Sequence, residues 1–304
     1  MGLVESWGGN PIGWVAAHLI EAPVNVITAL AQPGLWLNWS DPQAVMRFVY
    51  YGASVELFFV FVLVALVLTI AGLIRPAIMW AMVRGTEGFA NATGRVFAWA
   101  GLAMVIQQIA IIFMQRIFGA SQMSLGFGKV MTFDISWWSE ELKLYNAIIV
   151  TLCIAYTFVQ GGHVRVDLLY APARFSRKKW VDMCGCLFFM IPAGVLIWLY
   201  GWFFLWRNLI TPSTSASDTF DRLLAKSAAL RWNVETIGFS PNGFNAYFLF
   251  KVLLIAFTAL VFLTALSFFW RSLLEWREGE ASEGRGLDRD PPADAAAEFA
   301  ASAK

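Results

Sequence analysis

The chain has 304 residues, 59% of them hydrophobic and 14% charged, with a mean hydropathy of +0.61 and a formal net charge of +1. Soluble domains carry about 25% charged residues, so this is the composition of a membrane protein, and the near-zero charge argues against a nucleic-acid partner. Fifteen tryptophans and twenty-six phenylalanines suit interfacial belts and lipid-facing surfaces.

In chain order, residues 1–10 hold no Lys or Arg, so no secretory signal peptide is expected. Residues 12–37 alternate Ile12, Val15, Leu19, Ile20, Val24, Ile27 and Leu30 with His18, Glu21, Asn25 and Gln32, and contain Pro23 and Pro33. An interfacial amphipathic helix is the expectation here, with a further crossing as the alternative. Five later segments reach the spanning length of about 20 apolar residues: Val55–Leu73, Val96–Phe118, Leu142–Val159, Val181–Trp206 and Phe244–Phe269. Between the first two, Arg84-Gly85-Thr86-Glu87-Gly88 reads as a turn. From about Glu278 the tail is acidic, then contains Pro-Pro and Ala-rich sequence, and is expected to be disordered.

Orientation follows from the loop charges. Arg165, Arg174, Arg177, Lys178 and Lys179 make the loop after the third of these spans the most basic in the chain, hence cytoplasmic. Alternation then places the loop before that span, with Arg116 and Lys129, outside, and the C-terminus inside.

Chemistry-bearing motifs lie at span boundaries. Trp137-Trp138-Ser139-Glu140-Glu141 precedes the third span, and Ser139 reads as its helix cap, with Glu140 and Glu141 at the positive helix end. Gly161-Gly162-His163-Val164-Arg165-Val166-Asp167 follows it. The glycines permit positive φ where the helix ends, and Arg165–Asp167 suffices for a charge-paired turn. A general-base pair, His163 with Asp167, is the enzymatic alternative, that of a self-contained, acyltransferase-like membrane enzyme. No serine, lysine or second catalytic cluster supports it. Gln107 and Gln108, midway along the second span, read as interhelical hydrogen-bonding groups. Glu56, Asp182 and Lys251 can each reach an interface by snorkelling. Two histidines, His18 and His163, exclude a bis-histidine haem, and no phosphate-binding loop or dinucleotide motif is present, so no cofactor is expected. Cys153, Cys184 and Cys186 lie in apolar runs and read as buried thiols, with no metal site.

The two boundary motifs make residues 95–275 resemble the small membrane subunit, of DctQ type, of tripartite ATP-independent periplasmic (TRAP) transporters. The resemblance implies a four-helix DctQ-like unit, and the apolar run Val55–Leu73, outside the family pattern, adds at least one extra N-terminal transmembrane helix to an all-α integral membrane fold. The corresponding division is a periplasmic or interfacial segment (1–53), an extra transmembrane helix and turn (54–90), the four-helix membrane domain (91–277) and a disordered cytoplasmic tail (278–304). It further implies a non-catalytic, multi-pass scaffold in a bacterial inner membrane. Its partners would be a large multi-span subunit of DctM type, a periplasmic solute-binding protein and the bilayer. Uptake of an organic acid or similar solute would run on an ion gradient. Trp138, Glu140, Glu141, Gly162, His163, Arg165 and Asp167 are the matching positions, with subunit contact as their implied role. The length of the loop from Ser213 to Ser240 departs from the family habit.

Overall fold

The computed structural model describes residues 3–7, 9–125, 131–162, 170, 172–210, 219–221 and 246–290. Among these, ten α-helices follow one another: α1 (Leu3–Trp7), α2 (Pro11–Ala31), α3 (Pro42–Tyr51), α4 (Val55–Ile74), α5 (Pro76–Ile112), α6 (Ile135–Leu152), α7 (Ile154–Val159), α8 (Phe175–Gly185), α9 (Ile191–Ile210) and α10 (Phe248–Glu278). Wider π-type turns carry α5 on to Ile117 and join α8 to α9. Six of the resulting helical runs are long and apolar enough to cross a membrane. The molecule is therefore a helical, multi-pass membrane protein.

Three of the starts have a side-chain cap. Ser54 accepts the Leu57 amide through its hydroxyl at 3.2 Å, capping α4. Asn10 and Asp41 cap α2 and α3 in the same way, each with proline in the first turn, where no amide is needed. The segment expected at the interface forms the 21-residue α2, which meets the length and apolarity of a span and packs along α4. Pro23 sits inside it without ending it. The geometry thus accommodates the alternative of a further crossing.

Two expectations fail at α5 and α6. The stretch Arg84–Gly88 is not a turn but lies within α5, at 37 residues the longest helix among the described residues. Met79, Trp80 and Val83 on one face of this part of α5 join a buried cluster with Trp270 and Leu274 of α10, and Glu87 pairs with Arg271. Those tertiary contacts outweigh the cost of two glycines, about 1 kcal/mol each. Ser139 is not a helix cap either: α6 begins four residues earlier, at Ile135, with Asp134 at the cap position. A short antiparallel hairpin leads into it, Gln122–Leu125 against Met131–Asp134, with Gln122 opposite Asp134. This hairpin lies between two membrane-length helical runs and leaves the expected all-α architecture in place.

Contacts fix the relative direction of the helices. Helix α10 is central, packing against α5, α6, α7, α8 and α9. It runs antiparallel to α5, since Trp80 donates to Glu278 and Arg271 meets Glu87. It runs parallel to α4, with Trp270 donating to Thr69 and Arg277 to the Leu73 carbonyl. Helices α6 and α7 return along α5, where a side chain at Gly94 would strike Tyr156 at 2.1 Å, so only glycine allows the approach. One end of the bundle therefore collects the start of α5, the end of α7, helix α8 and the end of α10. We call it the basic end, after Arg84, Lys178, Lys179, Arg271 and Arg277. At the opposite end α3 docks on α9, with Trp198 and Trp202 donating to the carbonyls of Gly52 and Val49 at 2.9 and 2.7 Å. Outward-facing Phe61, Trp99 and Phe189 are 65–75% exposed, as lipid-facing groups are.

Candidate functional site

The boundary motif Trp137–Glu141 lies at the opposite end and runs from the first into the second turn of α6, which sets Glu140 and Glu141 beyond the strongest part of the helix dipole. Its polar groups are engaged across helices instead. Gln107 of α5 donates from Nε2 to the Trp138 carbonyl and to Glu141 Oε2, both at 3.0 Å. The expected bonding role of Gln107 is thus observed. Glu140 hydrogen-bonds the Tyr247 phenol, and burial first, then this carboxylate, raises the phenol above its ordinary value. The indoles of Trp137 and Trp138 meet edge-to-face at 5.5 Å. Trp138, Glu140 and Glu141 are thus brought together with α5 and the start of α10.

At the basic end, α7 closes in a Schellman turn. The Gly162 amide donates to the Thr157 carbonyl at 2.9 Å and the Gly161 amide to that of Phe158 at 3.2 Å. Gly161 carries the positive φ, +72°, and Gly162 does not. The remaining motif residues, His163, Arg165 and Asp167, lie outside the described residues.

Next to this turn is a group of charges that the sequence reading did not single out. Arg271 of α10 grips Glu87 of α5 in a fork, Nε to Oε1 and Nη2 to Oε2, both at 2.6 Å. Its third nitrogen, Nη1, reaches Glu275 Oε1 at 3.4 Å and the Arg285 carbonyl at 3.3 Å. Lys179 of α8 bridges Glu275 Oε2 at 2.7 Å and Glu283 Oε1 at 3.3 Å. Glu87, Arg271, Glu275 and Lys179 are 2–8% exposed, and the Arg271 guanidinium lies over the Trp80 ring. Charges so buried persist only when paired and hydrogen-bonded, as these are. In the sequence, the spacing of Arg271 and Glu275 at i, i+4 was a usable signal, whereas Glu87 was hidden in the presumed turn.

The tail also differs from expectation. Residues 279–290 fold back over this end instead of leaving it, and 291–304 lie outside the described residues. Asp288 and Asp290 meet Arg95 at 3.2 and 2.6 Å, and Tyr156 donates to Asp290 at 2.5 Å. The Tyr156 hydrogen bond, then Arg95, hold the Asp290 carboxyl below its ordinary value. The composition of 278–304 suggested disorder, but contacts with α5 and α7, distant in the chain, order the first part.

A cleft of about 60 Å³ lies between Thr86, Glu87, Phe158, Ser267, Arg271 and Leu287. Solute pockets are roughly 300–1,000 Å³, so this one has room for water and not for an organic acid. Among the described residues no three His, Cys, Asp or Glu side chains gather as metal ligands do. Comparison of the chain with protein-family models, with curated proteins and with solved structures finds no match.

Proposed function

We propose that this chain is a non-catalytic, DctQ-type small membrane subunit of a TRAP-type secondary transporter. In this reading it scaffolds a large multi-span subunit in a bacterial inner membrane and assists uptake of an organic acid or similar solute. A periplasmic binding protein delivers the solute, and an ion gradient acting through the large subunit drives the transport. One observation carries the reading: among the described residues, the buried charges are spent on one another. Glu87, Arg271, Glu275 and Lys179 form a closed network, and the cleft beside them is too small for a solute. Such a bundle supports structure, with solute and ion sites belonging to another chain. The boundary residues Trp138, Glu140 and Glu141, tied to α5 and α10, form a rigid edge suited to subunit contact.

The test is copurification from native membranes through a tag on the full chain. The expected result is a larger, multi-span membrane protein in stoichiometric amount, with solute uptake lost when this chain is deleted. Two variants separate scaffold from enzyme. His163→Gln should lower uptake only partly. Asp167→Ala, which removes the nearest carboxylate to Arg165 in sequence, should weaken assembly more. Were His163 a general base, His163→Gln would instead cost on the order of 10²–10⁴ in rate with assembly intact, and that outcome would replace this reading with the membrane enzyme.

A further inference from the structure

The first part of the tail is built like a bound ligand. Gly279, Gly284 and Gly286 carry φ of +88°, +68° and +67°, which turns the chain back from the end of α10 toward α5 and α7. The Gly284 amide donates to Glu275 Oε1 at 3.0 Å. Leu287 then packs on the buried cluster of Ala90, Val159 and Leu260. Beyond it, Asn91 donates to the carbonyl and the carboxylate of Asp288 at 2.8 and 3.2 Å. The Gln160 amide holds the backbone on both sides, donating to the Asp288 carbonyl at 3.0 Å and accepting the Asp290 amide at 2.8 Å. Arg95 and Tyr156 take the two carboxylates.

We propose that residues 284–290 are a latch acting in cis: the groove between α5 and α7 reads Leu287-Asp288-Arg289-Asp290, the latch closes the basic end over the Glu87–Arg271 pair, and it opens when the Arg95–Asp288–Asp290 cluster is broken. The two parts of the binding chemistry make it reversible. Leu287 is a single apolar plug, and Asn91, 1% exposed, has its amide donors committed to the segment. The ionic catch is different: the side chains of Arg95, Asp288 and Asp290 keep 45%, 60% and 43% of their exposure. Exposed pairs are weak individually and screened by salt, whose Debye length falls from about 10 Å at 0.1 M to about 3 Å at 1 M. A catch of this kind can open without unfolding the bundle. What it controls is set by its neighbours. Leu287 and Arg289 line the cleft that holds Glu87 and Arg271, and Arg289 also approaches Gly161, where α7 ends. Opening would admit water to the buried pair and free the exit of α7. The latch stands independently of the subunit reading, because every group in it belongs to this chain.

Hydrogen exchange of the full chain in nanodiscs tests it, followed by mass spectrometry of the 284–290 segment. At 0.1 M salt the wild type should be protected there. Arg95→Gln, and the double change Asp288→Asn with Asp290→Asn, should each raise exchange of that segment at least tenfold and leave the middle of α10 unchanged. Salt at 1 M should move the wild type toward the variants. Arg95→Asp combined with Asp290→Arg should be at least threefold better protected than Arg95→Asp alone, which a merely structural arginine would not produce. Equal exchange in variants and wild type, no gain in the swapped pair, or simultaneous loss of protection throughout α10 would each overturn the latch.

Discussion

Arg271 is the residue on which the basic end depends. Its fork on Glu87 is buried, and a buried pair broken on one side costs about 3–5 kcal/mol because the remaining charge is stranded. Arg271→Met should therefore lower the thermal midpoint in detergent sharply. Glu87→Leu combined with Arg271→Met should recover much of the loss, because apolar replacement removes the desolvation cost as well. A double variant no more stable than Arg271→Met alone would show that Glu87 is not the stranded partner. Asp290 supplies a second prediction at this scale. Its docked carboxyl titrates below the ordinary value near 3.8, so its contribution to the latch is complete above that value and is lost as pH falls through the lower one. Protection of 284–290, corrected for intrinsic exchange, should stay level from pH 7 to about pH 5 and fall only in stronger acid. A midpoint near pH 6.5 would point to a histidine instead.

Among the elements, the first half of α5 shows where local signals misled. Gly85 and Gly88 resemble turn residues, yet both lie in helix with open space where a side chain would go. Alanine at either position should stabilise the protein by about 0.5–1 kcal/mol, read as a higher thermal midpoint. A loss would mean that the segment needs glycine conformations and is a turn after all. The same substitution at Gly94 should be harmful, since Tyr156 occupies the space. The end of α10 carries the matching lesson for tails. Composition alone makes everything past Gly279 dispensable, but Glu283, Leu287, Asp288 and Asp290 bind Lys179, the α5–α7 cluster and Arg95. Removing 291–304 should leave the thermal midpoint unchanged, whereas removing 280–304 should lower it.

For the whole molecule, the helix directions taken from the contacts alternate as the loop charges required, from α4 through α10. Arg84, Lys178, Lys179, Arg271 and Arg277 gather at one end, which is the pattern expected of a cytoplasmic face. Cysteine labelling from outside intact cells should accordingly modify Ser40→Cys, beside the Trp39–Trp206 contact, and leave Ser176→Cys at the start of α8 untouched. The reverse pattern would invert every span.

Sequence by itself determined the class of molecule and the approximate place of its spans, because bilayer insertion depends on the length and apolarity of each segment taken alone. Val55–Ile74 departs by one residue from the expected helix, and the glycine-driven end of α7 is written in Gly161. Tertiary structure alone decided the fate of the polar residues. Whether Glu87 sits in a turn or in a buried fork, and whether Asp288 and Asp290 belong to a loose tail or a docked one, depends on groups some 185–200 positions away in the chain. Local pattern carries no record of partners so distant. The energy of a buried charge depends almost wholly on the partner it finds.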